Sequence, residues 1–284
     1  MILKRAIAVS AILLASQMAS AAEYAKVVSY DFGSIDTLHA LGLSDVVAGV
    51  PKQGLPNYLS EFSGDQYADI GGLKNPDVEA LKSIQPDLVL VTGRQGSKIP
   101  ELEALFNVQN VGAQGEDYWT GFSQKVNDLA ASFDKESEAA TALQALKKQI
   151  DQVKGSNKSV VVLTHNGGNV SLRNDGVVND LLGLKTPTLP EGVETIKRGA
   201  RSFTPLTAAN VAAMKPAVVM IVDRSAAIGA ESGAMDMESF KAELAANGGS
   251  DIQVAYLEPE LWYLSGGGLE SLKLQVAEVA KALN

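Results

Sequence analysis

Sliding the chain 130 residues along itself lays residues 78–94 over 208–224, and that overlap constrains the fold more than any other feature. Pro86 falls on Pro216, the run Leu88-Val89-Leu90-Val91 on Val218-Val219-Met220-Ile221, and Arg94 on Arg224. Nearby, Ala40-Leu41-Gly42-Leu43 echoes Leu181-Leu182-Gly183-Leu184 at a slightly different offset. A chain that carries one unit twice is expected to fold as two similar halves. Its 284 residues also sit near the length at which one hydrophobic core gives way to two.

Within each half the pattern alternates strand and helix. Residues 26–30 read as a short apolar strand, 35–43 as a helix closing on Gly42, and 46–50 as a second strand. In 76–84, Val78, Leu81 and Ile84 recur at helical spacing; Pro86-Asp87 then breaks the helix ahead of the buried strand 88–91. Residues 117–153 form a long helical stretch interrupted near Phe133-Asp134. Its second part is rich in Ala, Leu, Gln, Glu and Lys and stops at Gly155, and a strand restarts at 159–164. The predicted fold class is α/β: two lobes, each with a mostly parallel sheet, bridged by one long helix. The expected boundaries are 22–133 for the N-terminal lobe, 134–155 for the bridging helix and 156–284 for the C-terminal lobe.

Residues 1–21 read as a removable secretory signal. Lys4 and Arg5 precede an apolar run over 6–15 that is shorter than the roughly 20 residues of a membrane span, and Ala19-Ser20-Ala21 is a small-x-small cleavage site. The chain has no cysteine, which excludes disulfides, thiolate metal sites and a lipid-modified N-terminal cysteine. Export without either device predicts the periplasm of a two-membrane bacterium. A formal charge of −9 argues against nucleic acid or an anionic membrane as the main partner. Two histidines, His39 and His165, leave little for a histidine-rich zinc site.

In parallel α/β units, ligands lie beyond the carboxyl ends of the strands. Arg94, in the glycine-flanked turn Thr92-Gly93-Arg94-Gln95-Gly96, and Arg224, after Val222-Asp223, both fall there. Arg173 in Ser171-Leu172-Arg173-Asn174-Asp175 adds a third guanidinium. Forked, permanently charged and weakly hydrated donors suit an anion with several oxygens. The alternative is that each arginine pairs locally, with Asp223 and Asp175 at hand. A second cluster runs from Tyr256 through Glu258-Pro259-Glu260-Leu261-Trp262-Tyr263-Leu264 into Ser265-Gly266-Gly267-Gly268. No Lys-Ser or Lys-Thr pair follows, so it is not a P-loop. Trp262 and Tyr263 read either as core aromatics or, for Tyr263, as an exposed phenol able to bind ferric iron. Neither Ser265 nor the histidines stand in a catalytic constellation, and no enzymatic activity is predicted.

Taken together, 86–95, Val222-Asp223-Arg224 and Glu258-Pro259-Glu260-Leu261-Trp262-Tyr263-Leu264, followed by Gly-Leu-Glu-Ser-Leu at 268–272, resemble the periplasmic binding proteins for ferric catecholate siderophores of the enterochelin-uptake type. The resemblance covers the whole chain after the signal. It implies two α/β lobes joined by a single long helix with little hinge motion, no intrinsic cofactor, ferric iron carried as a siderophore complex, a monomer, and delivery to an inner-membrane ABC permease with its ATPase. By the same resemblance Arg94, Arg173 and Arg224 contact catecholate oxygens, Trp262 lines the site, Tyr263 matches a tyrosine that can coordinate iron, and Glu79 matches a permease-docking glutamate.

Two positions depart from the family pattern. Where some members place a second, histidine ligand, residues 196–202 offer none and Arg201 stands there; the repeat-equivalent of Glu79 is Ala209. The expected function is capture of an anionic ferric siderophore, with cobalamin or haem binding on the same fold as the alternative.

Overall fold

The computed structural model describes residues 24–112, 114–199 and 201–284, and the side chains of Arg198 and Arg201 are outside it. The expected signal, residues 1–21, lies outside the described residues.

The first half comprises β1 (Val27–Ser29), α1 (Phe32–Ala40), β2 (Val47–Val50), β3 (Ala68–Asp69), the hairpin β4 (Gly71–Gly72) and β5 (Asn75–Pro76), α2 (Val78–Ile84), β6 (Leu88–Val91), α3 (Ile99–Glu103) and β7 (Val108–Asn110). Its sheet has the order β3-β2-β1-β6-β7 with every pair parallel. All four residues of β6 are buried, the continuous apolar run of a strand covered on both faces.

Two helices follow, α4 (Tyr118–Ala131) and α5 (Glu136–Val153). Asp117 caps α4 through the N–H of Thr120, and the left-handed Asp134 breaks the run where the sequence predicts an interruption. On α5, Glu136 and Glu138 stand in the first turn, and Ala139, Leu143, Leu146 and Ile150 form the buried stripe. That stripe belongs to the second half's core, as do Phe122, Val126 and Ala130 of α4. Leu129 and Phe133 belong to the first half's core.

The second half runs β8 (Val160–Asn166), β9 (Asn169–Leu172), a π-helical turn (Gly176–Leu181), β10 (Ile196–Arg198), β11 (Arg201–Leu206), α6 (Ala208–Met214), β12 (Val218–Asp223), α7 (Arg224–Ala227), α8 (Met237–Ala246), β13 (Gln253–Tyr256), α9 (Pro259–Tyr263) and α10 (Leu269–Leu283). The sheet order is β10-β11-β9-β8-β12-β13. Strands β8, β12 and β13 are parallel, whereas β9, β11 and β10 are joined to them by antiparallel pairings. The cause is the turn Gly167-Gly168. Both glycines have positive φ, 60° and 78°, which folds β8 directly back into β9 as a tight hairpin.

The 130-residue repeat is structural. Helices α2 and α6 coincide under the shift, and both end in a left-handed residue, Gln85 (φ 52°) and Lys215 (φ 50°), ahead of Pro86 and Pro216. Each helix then feeds a central strand, β6 or β12. Among the described residues no helix is long and apolar enough to cross a membrane.

The halves are tied by α1 and α10. Asp36, fully buried on α1, accepts hydrogen bonds from the backbone N–H groups of Glu270 (3.1 Å) and Ser271 (3.0 Å), and Thr37 Oγ1 accepts from Leu269 (3.3 Å). One half therefore caps the first turn of a helix belonging to the other, satisfying donors that no residue of α10 reaches. Tyr58 donates to Asp36 at 3.3 Å and also bonds Ser265. Burial pushes the Asp36 carboxyl up to about 6 even against these donors. Beside it, a Cβ on Gly33 would strike the Gly266 carbonyl oxygen, and one on Gly268 would strike that of Gly33, so both backbones meet where only glycine fits.

Candidate functional site

The three arginines converge on residues 262–264 at the C-terminal end of α9. Arg94 follows β6 in a turn pinned by Gln95, whose buried side chain accepts from Thr92 N–H (2.7 Å) and donates to the carbonyls of Leu73 and Tyr30. The Arg94 fork reaches across to the other half, donating from Nη1 to the Leu264 carbonyl (3.1 Å) and from Nη2 to that of Tyr263 (3.2 Å). Arg224, at the start of α7, donates through Nε to the Tyr263 hydroxyl (2.8 Å) and through Nη1 to Asn166 Oδ1 (2.6 Å). Its guanidinium carbon lies 5.6 Å from the Tyr263 ring centre. Arg173 donates through Nη2 to the Trp262 carbonyl at 3.5 Å.

The local-pairing alternative is met differently at each position. Asp223 is fully buried and takes four donors: His165 Nδ1 (2.7 Å), the N–H groups of Ala226 (3.1 Å) and Met235 (2.6 Å), and the Tyr256 hydroxyl (2.9 Å). Desolvation pushes its carboxyl up, but these donors outweigh it and hold it below the usual carboxylate range. With its oxygens occupied by these donors, Asp223 leaves the Arg224 guanidinium to Tyr263 and Asn166. Asp175, by contrast, does pair with Arg173 (Nε to Oδ2, 2.6 Å) while capping the π-helical turn through Val177 and Val178. Arg173 therefore brings half of its fork to the site.

His165 is buried, not an open ligand. With its Nε2 accepting from Gly168 N–H (3.1 Å), the Nδ1 proton goes to Asp223, and both ring nitrogens are committed. Trp262 is 2% exposed, and its indole N–H donates to Glu278 on α10 (2.6 Å). Trp262 thus anchors the end of α9 and offers the site its backbone carbonyl. Tyr263, one residue on, is half-buried with its hydroxyl toward Arg224. Arg201 opens β11, paired in register with Arg198; its side chain lies outside the described residues. Glu79 stands in the first turn of α2 with its side chain 82% exposed, 2.8 Å from Lys82, and Ala209 is exposed at the matching place on α6.

Gln95, Asn166, Asp223 and Glu278 are supporting residues that sequence reasoning did not assign. Asp223 had a readable signal, an Asp directly ahead of a helix start. Asn166 and Glu278 accept from Arg224 and Trp262 on other elements, and Gln95 links the neighbouring Thr92 to the more distant Leu73 and Tyr30, so no local motif marks them.

A family model described as periplasmic binding protein matches residues 27–248. The chain belongs to that family. It is 33% identical over 266 residues to the petrobactin-binding protein YclQ of Bacillus subtilis, covering 91% of this chain and 82% of that protein. The crystal structure of YclQ superposes with a TM-score of 0.80 at 32% identity, over 92% of each chain. The ferric-anguibactin-binding protein FatB of Vibrio anguillarum is 24% identical over 272 residues, 90% of this chain and 81% of its own. These family members are binding proteins rather than enzymes, and the two-lobed α/β architecture read from the sequence is the one they share.

Proposed function

We propose that this family member is a periplasmic solute-binding protein that captures an anionic ferric siderophore, with a catecholate-type iron centre, between its halves and delivers it to an inner-membrane ABC permease. The observation that carries the reading is the meeting of Arg94, Arg173 and Arg224, drawn from both halves, on residues 262–264 at the C-terminal end of α9. A ferric catecholate has net negative charge spread over planar oxygens, which guanidinium forks complement even within an acidic protein. That two relatives are named for ferric siderophores or petrobactin supports the same class. In this reading Tyr263 donates its proton to a ligand oxygen, and exposed Glu79 serves the permease contact.

The test is a tryptophan-fluorescence titration against a ferric catecholate, haem and cobalamin. The ferric catecholate is expected to bind in preference. Arg94→Ala and Arg224→Ala should each weaken it by about 1.5–3 kcal/mol, the range for hydrogen bonds to charged groups, with little rescue by Lys. Undiminished affinity in both variants, or a preference for haem or cobalamin, would overturn the proposal.

A further inference from the structure

Two elements set the pose of Arg224, and one imidazole is bonded to both. His165 stands beside Asp223 as its register partner at the carboxyl ends of the parallel strands β8 and β12. Its Nδ1 donates to Asp223 Oδ1 (2.7 Å), the same oxygen that caps α7 through the Ala226 N–H (3.1 Å), and Arg224 is the first residue of that helix. Its Nε2 accepts from the Gly168 N–H (3.1 Å) in the turn of the β8–β9 hairpin. The first strand of that hairpin ends at Asn166, the acceptor for Arg224 Nη1 (2.6 Å). A second tie joins the same two elements, because the Gly167 N–H donates to the buried Ser225 Oγ (2.9 Å).

The ring suits this place by its proton inventory. A neutral imidazole offers one donor and one acceptor on a rigid frame. The Gly168 N–H can only donate and the Asp223 carboxylate can only accept, so one tautomer satisfies both. An imidazolium would set two donors, Nε2–H and the Gly168 N–H, against each other. Packing does not enclose the ring on every side: with Gly168 and Met235 it borders a cavity of about 470 Å³ walled by β9, β11 and α8. On that side the two hydrogen bonds, rather than packed neighbours, fix its orientation.

We propose that His165 is a positioning residue for the anion site: it locks the hairpin that bears Asn166 to the helix start that bears Arg224. The guanidinium is thereby held with Nε and Nη1 engaged by Tyr263 and Asn166, leaving Nη2 for a ligand oxygen. The consequence for binding rests on the proposed function; the pose of Arg224 does not. Arg94 has no such device, since Gly93 before it brings no side chain, and the two arginines should respond differently to loss of the imidazole.

Nitrogen-15 NMR of the arginine Nε–H groups reads the pose without any ligand. The Arg224 Nε–H, bonded to the Tyr263 hydroxyl, should exchange slowly with water in the wild type, and His165→Leu should speed that exchange by about tenfold, the scale of one hydrogen bond. His165→Asn, whose amide nitrogen falls near the place of Nδ1, restores the donor to Asp223 and should recover most of the protection. Affinity for a ferric catecholate, titrated on protein shown to be folded by near-UV circular dichroism, should fall about tenfold in His165→Leu and recover in His165→Asn. That loss should be non-additive with Arg224→Ala and additive with Arg94→Ala. Should His165→Leu fail to fold, His165→Gln, which keeps an acceptor toward Gly168 and lacks the donor at Nδ1, should show both losses at smaller size. Unchanged Arg224 exchange in the folded variants, or a loss of affinity that adds to that of Arg224→Ala, would overturn the positioning role and leave the arginine site standing. Faster Arg224 exchange in the variants, with no ferric catecholate bound by the wild type, would overturn the proposed function and leave the role of His165 in place.

Discussion

Two copies of one backbone unit, α2–β6 ending at Arg94 and α6–β12 ending at Arg224, differ most at the residue just before the arginine. In the first half that residue is Gly93, exposed and with nothing within reach of an added Cβ. In the second it is Asp223, fully buried beneath four donors. The arginines differ accordingly. Arg94 stands on an open turn and grips main-chain carbonyls across the cleft, a contact indifferent to side-chain identity. Arg224 rises from a fixed polar floor and addresses two side chains, Asn166 and Tyr263. Duplication supplies the place of the guanidinium; the residue before it sets how firmly it is held and what it reads.

The largest effect should come from exchanging that one residue for alanine in each half. Asp223→Ala strands four donors, His165 among them, and should cost about 3–5 kcal/mol of stability, as breaking buried charged networks does. Gly93→Ala should stay within about 0.5 kcal/mol. Urea unfolding of the two variants measures both, and similar costs would break the comparison.

A smaller effect separates two buried carboxylates by pH. Asp223 is held below its ordinary value, so its contribution is present above that value and is lost as pH falls through the folded one, on the acid side of about 4. Asp36 is the opposite case. Its folded value of about 6 lies above the unfolded one, so stability is full below about pH 4, declines as pH rises toward 6, and levels off above it. At about 1.4 kcal/mol per pH unit the decline amounts to about 3 kcal/mol. Asp36→Asn keeps an acceptor toward α10 and removes the titration, so the difference between wild-type and variant unfolding curves should change by that amount between pH 4 and 7. A constant difference would show that Asp36 does not titrate there.

What the sequence made legible follows from the range over which each signal acts. The central strands, the helix ends at Gln85 and Lys215, and the repeat are written in neighbouring residues, and so are the positions of Arg94 and Arg224. The hairpin at Gly167-Gly168 was also written locally, as a two-residue turn, but a sequence reading that follows parallel alternation treats that stretch as a loop after a strand; hence the antiparallel part of the second sheet is the main departure. Asp36 is buried on α1 beside Thr37, and its backbone partners on α10 lie more than 230 residues away. Nothing within a few residues of Asp36 announces that role.

The finest distinction between the halves is at Tyr263, whose carbonyl belongs to Arg94 and whose hydroxyl belongs to Arg224. Because the hydroxyl oxygen accepts from Arg224 Nε at 2.8 Å, its own proton is free for a ligand oxygen. Tyr263→Phe should weaken a ferric chelate that fills all six iron positions by about fivefold, within the range for one hydrogen bond. That loss should be non-additive with Arg224→Ala, which removes the same contact, and additive with Arg94→Ala, which touches only the main chain. Direct iron ligation by the phenolate makes a different demand. A tetradentate ferric complex, with open coordination sites, would then show a shifted charge-transfer band on binding the wild-type protein and none on binding Tyr263→Phe. With no histidine in 196–202 to supply a second protein ligand, the expected result is the same band with both proteins. A shift confined to the wild type would move Tyr263 from hydrogen-bond donor to metal ligand, and would make the Arg224 contact a means of holding a phenolate.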